Sequence, residues 1–139
     1  MGRLKDKVAV ITGGASGIGE ATVKLFIDEG ARVAFSDHDK QRGLALSKEI
    51  KSKGSEVLFV NAKMELEEQA LSFVKRAADH FGQLDILVNN VAIRMFQTVV
   101  EASQESWDRI LSVNVKSYAF CSKAAIPLMQ KQGGSIINI

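Results

Sequence analysis

Hydrophobic positions along the chain follow two alternating patterns. Short runs rich in β-branched residues lie at residues 8–11, 32–36, 56–60, 84–89 and 135–139. Each reads as a strand buried on both faces. Between them, apolar residues recur at helical spacing: Ile18, Ala21, Leu25 and Phe26 closed by Gly30, then Leu66, Ala70, Val74, Ala77 and Phe81 closed by Gly82. A helix over residues 40–53 has a weaker pattern, Leu44, Leu46 and Ile50 among many charges, and is expected to be more exposed. Residues 103–130 predict a long helix, with a bend expected near Pro127, the only proline. Alternating strands and helices imply βαβ units with right-handed crossovers, hence a mainly parallel sheet with helices on both faces.

With 139 residues, 46% of them hydrophobic, there is room for one domain, spanning 1–139, and for a substantial core. The net charge of +2 comes from scattered Lys and Arg without a basic block, which argues against nucleic acid as a partner. Cys121 is alone, so neither a disulfide framework nor a metal-ligand cluster is expected, and the composition fits a reducing cytosol. The first six residues run directly into an apolar strand without a signal-peptide core. No apolar run approaches the roughly 20 residues of a membrane span. A soluble, cytoplasmic protein without membrane attachment is the expectation.

Residues 12–19, TGGASGIG, follow the first strand and open a helix. Small residues there let the backbone approach a pyrophosphate, whose charge is stabilised by free amide hydrogens and the helix dipole. The dipole contributes only about 0.3–2 kcal/mol, so several contacts must act together. Gly13, Gly17 and Gly19 are spaced G-x-x-x-G-x-G, and no Lys-Ser or Lys-Thr follows, which disfavours a nucleoside triphosphatase loop. This cradle makes the predicted architecture a Rossmann-like, doubly wound α/β fold that binds a dinucleotide.

Asp37 closes the second strand 18 residues after Gly19, where an acid receives a ribose hydroxyl. A 2′-phosphate beside Asp37 and Asp39 would meet like charge, and residues 12–19 hold no Arg or Lys. NAD is therefore expected over NADP, with Arg42 the residue most able to change that.

Three ordered motifs resemble the short-chain dehydrogenase/reductase family: T-G-x-x-x-G-x-G at residues 12–19, Asn89-Asn90-Val91-Ala92 after the fourth strand, and Asn114 in Ser112-Val113-Asn114-Val115. The resemblance runs from Arg3 to Ile139. It implies an NAD-dependent oxidoreductase that interconverts an alcohol and a carbonyl, with a small-molecule substrate, acting as a homo-oligomer of the complete protein. It places Gly13, Ser16, Gly17, Ile18 and Gly19 around the pyrophosphate and nicotinamide, and Asp37 on the adenine ribose. Met64 would lie near the adenine through its backbone, Asn90 and Ala92 beside the cofactor, and Val113 against it. Asn114 would belong to the catalytic set, holding a water in a proton relay; read from the residues alone, it is a helix Asn satisfied by neighbouring backbone. Three positions depart from the family pattern. Lys63 stands where an Asp is usual, Val91 replaces an alanine, and Ala92 replaces a glycine, at a cost of about 1–2 kcal/mol if that position is left-handed.

The family's later Ser and Tyr-x-x-x-Lys do not occur in this chain. Tyr118 is the only tyrosine, and Lys123 lies five residues on, about 100° off its helical face, so Tyr118 reads as a packing or interface residue. His38 and His80 suggest no triad. A strand at 135–139 without a neighbour would be an exposed apolar edge, so the expected fold is cut after its fifth strand, the domain is incomplete, and the chain alone is inactive. Two other functions fit parts of the pattern. A non-catalytic nucleotide-binding or subunit-pairing module could use Trp107, Ile110, Leu111, Tyr118 and Phe120, and an S-adenosylmethionine-dependent methyltransferase shares the glycines and the acid but leaves Asn89-Asn90 and Asn114 unexplained.

Overall fold

A computed structural model describes residues 2–139. Strands β1 (Val8–Thr12), β2 (Arg32–Asp37), β3 (Val57–Asn61), β4 (Ile86–Asn89) and β5 (Ser135–Asn138) form one parallel sheet in the order β3-β2-β1-β4-β5. Helices α1 (Gly17–Asp28), α2 (Lys40–Ser52) and α3 (Glu67–Phe81) connect the first four strands. Helix α4 (Gln104–Leu111), a π-helical turn (Ser112–Lys116) and α5 (Ser117–Met129) lead from β4 to β5. The doubly wound, Rossmann-like arrangement is the one predicted from the alternating pattern.

Successive strand residues face opposite sides of the sheet, so each buried run feeds two cores. Val8, Val10, Ala34 and Leu87 pack with Phe73, Val74 and Ala77 of α3 and Cys121 and Ala125 of α5. Ala9, Ile11, Val33, Phe35 and Val88 pack with Val23 of α1 and Leu46 and Ile50 of α2. Phe35 and Phe73 are fully buried, each contributing roughly 1.5–3 kcal/mol relative to an exposed ring.

Four local expectations need correction. In α1, Ile18 and Leu25 are exposed, and the buried positions are Gly19 and Val23. Phe26 does pack against the core, but Ile18 and Leu25 miss it, and the start of α1 meets the preceding turn where Gly19 has no side chain. In α2, Leu44 is exposed and Gly43 is buried; a Cβ on Gly43 would lie 2.0 Å from the Phe59 ring, so the missing side chain is what admits that ring. Strand β4 starts at Ile86 because the Asp85 side chain instead takes the Val8 N–H at 2.8 Å. The irregularity in the long helical segment is the turn Ser112–Lys116, where the Ser117 N–H reaches the Ser112 carbonyl, whereas Pro127 lies within α5. Among the described residues, no helix is long and apolar enough to cross a membrane.

Candidate functional site

The parallel sheet directs the ends of β1, β2 and β4 to one rim, where its order reverses between β1 and β4. In open α/β sheets that crevice is where ligands bind. Residues 12–19 pass from β1 into α1 at this rim. Ser16 precedes the helix in an extended conformation and its side chain makes no capping hydrogen bond. Gly17 is left-handed at φ 53° with open space around it, and Ser16, Gly17 and Ile18 are exposed. Gly19 is buried, and a Cβ on it would lie 1.9 Å from the Gly13 carbonyl oxygen. The turn closes this tightly only with glycine at position 19.

Thr12 and Asn90 fasten this turn to the segment after β4. The fully buried Thr12 Oγ1 accepts the Asn90 N–H at 2.9 Å and the Val91 N–H at 3.1 Å. Asn90 Nδ2 donates to the carbonyls of Thr12 and Gly13, both at 3.1 Å. Thr12 opens the motif, but the sequence alone assigns its side chain no role. A threonine ending a strand looks like an ordinary β former, and its partners lie 78 and 79 residues away.

Asp37 joins the turn to the start of α2. Its Oδ2 accepts the Ala15 N–H at 3.0 Å and its Oδ1 the Asp39 N–H at 2.9 Å, while His38 Nδ1 lies 3.3 Å from Oδ1. The carboxylate is thus held at the rim with only 7% of the residue exposed.

A cavity of about 180 Å³ opens beside it, lined by Gly13, Ser36, Asp37, His38, Ala62, Lys63, Met64, Glu65, Val91, Ala92, Ile93, Arg109 and Val113. Of the residues singled out in the sequence, Gly13, Asp37, Met64, Ala92 and Val113 meet at this one cavity, and Asn90 borders it through Gly13. Ser16, Gly17, Ile18 and Gly19 continue around the mouth of α1. The Ser36 hydroxyl is buried at the cavity with no hydrogen-bond partner among the described residues. Ala92 is not left-handed, since Asp6 is the one non-glycine residue with positive φ among those described, so the glycine-to-alanine departure carries no strain here.

Asn114 sits in the π turn, and its amide bonds both main-chain groups of Ile93. Tyr118 donates from its hydroxyl to the main-chain oxygen of Ile139 at 2.7 Å, and burial pushes its pKa up. The Cys121 thiol is likewise pushed up by burial, to about 12, which leaves it protonated and unreactive.

The family model described as short chain dehydrogenase matches residues 7–139. A 3-oxoacyl-(acyl-carrier-protein) reductase of Thermotoga maritima is 36% identical over 138 residues, covering 99% of this chain and 56% of the relative. A 3-beta-hydroxysteroid dehydrogenase of Comamonas testosteroni is 36% identical over 137 residues, covering 99% of this chain and 53% of the relative. A solved short chain dehydrogenase from Mycobacterium smegmatis matches with a TM-score of 0.94 and 31% identity, over 99% of this chain and 59% of that one. The chain therefore spans about half the length of the curated relatives it matches.

Proposed function

We propose that this chain, which belongs to the short chain dehydrogenase family, binds NAD and forms the cofactor half of an oxidoreductase interconverting an alcohol and a carbonyl. Membership implies an NAD(P) cofactor. The observation that carries the reading is the tie between the two ends of the site: the turn that only glycine at position 19 can close donates an N–H, from Ala15, directly to Asp37.

The residues fit a dinucleotide. Gly13, Ser16, Gly17, Ile18 and Gly19 offer small side chains and helix-start amides to the pyrophosphate and nicotinamide. Asp37, buried yet at the rim, suits a neutral ribose diol better than a 2′-phosphate. The adenine would occupy the cavity between the Met64 backbone and Val113, while Asn90 holds the turn and, with Ala92, flanks the cofactor. Bound nicotinamide supplies or accepts the hydride. Asn114 belongs on this reading to the catalytic set of the complete protein, and the chain alone turns over no substrate. The names of the two curated relatives pair a 3-oxoacyl carbonyl with a 3-beta-hydroxysteroid alcohol, so a carbonyl–alcohol pair is the shared chemistry.

A subunit-pairing role accompanies this reading. No residue of α4 is buried, and Trp107 and Leu111 of α4 and Val115 of the π turn stand 40%, 46% and 55% exposed, an apolar face suited to a second copy. Leu111→Asp should shift the complete protein to monomers in size exclusion.

Titration of the chain with NADH, NADPH and S-adenosylmethionine tests the cofactor assignment. NADH should bind most tightly; equal binding of NADPH removes the NAD assignment, and binding of S-adenosylmethionine alone removes the dehydrogenase reading. NADH mixed with carbonyl substrates and the chain alone should keep its absorbance.

A further inference from the structure

We propose that Asp39, and not Asp37 alone, decides which dinucleotide the chain accepts, by holding Arg42 away from a 2′-phosphate. The inference rests on the reading that a dinucleotide lies along residues 12–19.

Asp37 is fixed in place, each carboxylate oxygen accepting a main-chain N–H. Asp39 is less committed. Its Oδ1 caps α2 by accepting the Arg42 N–H at 3.0 Å, and its Oδ2 lies 3.5 Å from Arg42 Nε, with side-chain exposures of 41% for Asp39 and 66% for Arg42. Beside this pair runs a groove of about 420 Å³ between the turn and α2, lined by Ala15, Ser16, Gly17, Glu20, Arg42 and Glu49 among others. Among the described residues, Arg42 is the one cation lining it. The nearby Lys24 is already engaged, 2.7 Å from Glu20 and 3.4 Å from Glu49. Ala15 both lines the groove and donates to Asp37, so a ribose seated at Asp37 has the groove, and Arg42, next to it.

A 2′-phosphate is the kind of anion that a planar guanidinium grips with two hydrogen bonds, and an Arg near the ribose acid is how such folds accommodate NADP. Asp39 opposes this twice. It competes for the guanidinium, and it sets a second negative charge beside Asp37. Removing the Asp39 charge leaves the guanidinium without its carboxylate partner and free to turn to a 2′-phosphate. Asn at position 39 removes the charge while keeping a good helix cap, and Ser is an alternative cap.

The test uses fluorescence titrations of the whole chain with NADH and NADPH. Asp39→Asn should tighten NADPH binding about tenfold while moving NADH binding less than about twofold. Asp39→Ser should behave alike, and adding Arg42→Ala to either variant should remove most of the gain, leaving only what relief of the Asp39 charge gives. NADH binding with no NADPH gain in either variant, or a gain that survives Arg42→Ala in full, overturns the role of Asp39 and leaves the NAD reading standing. A parent chain that binds neither dinucleotide overturns both.

Discussion

Asn114 holds Ile93 through both of its main-chain groups: the Ile93 N–H donates to Oδ1 at 2.8 Å, and Nδ2 donates to the Ile93 carbonyl at 2.9 Å. The segment after β4 therefore does not pass freely over the cavity. It is strapped to the π turn of Ser112–Lys116 at one point and to β1, through Thr12 and Asn90, at another. The π turn is an irregularity of the kind that accumulates at functional sites, and here it carries the side chain that makes the strap.

Removing that strap has a stability cost that does not depend on any cofactor. Asn114→Ala leaves two part-buried main-chain groups without their partner, for about 1–3 kcal/mol. Asn114→Asp keeps the acceptor for the Ile93 N–H but sets a carboxylate oxygen against the Ile93 carbonyl, so its loss should be at least as large as that of Asn114→Ala. Urea unfolding of the three chains checks the order. Equal stabilities would show that the amide's two hydrogen bonds contribute nothing to the fold.

Gly17 and Gly19 separate two reasons for glycine within one turn. Gly17→Ala meets open space and costs only the left-handed backbone, about 1–2 kcal/mol. Gly19→Ala drives a methyl against the Gly13 carbonyl and must move the turn itself. The expected result is a modest fall in melting temperature with NADH binding retained for the first, and loss of NADH binding for the second. Retention of full NADH affinity by Gly19→Ala would count against this turn as the cofactor cradle.

The strands were legible because residues such as Val8, Val10, Val33 and Val88, buried on either face, make continuous β-branched runs. The turn and Asp37 were legible because their chemistry depends on spacing along the chain. What the pattern hid has a common cause. Thr12 with Asn90, Asn114 with Ile93, and Gly43 with Phe59 are relationships between residues far apart in sequence, one partner of each being a residue that local rules pass as ordinary. The stripe of α1 was misphased for a related reason. Periodicity counts large side chains such as Ile18 and Leu25, whereas the contact with the turn is made where Gly19 lacks one.

Thr12 supplies a further separation. Thr12→Val keeps the shape and the β-branched strand residue but removes the acceptor of two N–H groups, so a loss of about 1–3 kcal/mol is expected. Thr12→Ser keeps the oxygen and should recover most of it. Hydrogen exchange at Asn90 and Val91 would read the same contact directly, with faster exchange in the valine variant; unchanged exchange at both amides would show that the hydroxyl is not their partner.

Asp85 gives the fold an acid-sensitive joint. Burial pushes its carboxyl up, but the Val8 N–H at 2.8 Å, the Gln83 amide at 2.7 Å and Lys7 at 3.4 Å together hold it below the ordinary carboxylate value. A depressed folded-state value means that the carboxylate's contribution is complete above the unfolded value of about 4 and is lost as the pH falls through the lower folded value. The contact matters beyond its own charge, because the Asp85 N–H donates to the Val8 carbonyl and the Asp85 carbonyl accepts from Ser135, so one residue aligns the starts of β1 and β5. Asp85→Asn can still accept the Val8 N–H but has no charge to titrate. Urea unfolding measured from about pH 6 down to about pH 2 should show the parent losing stability more steeply below about pH 4 than the variant. Parallel profiles would mean that other carboxylates carry the acid sensitivity and that the hydrogen bonds to Asp85 do not favour its charged form.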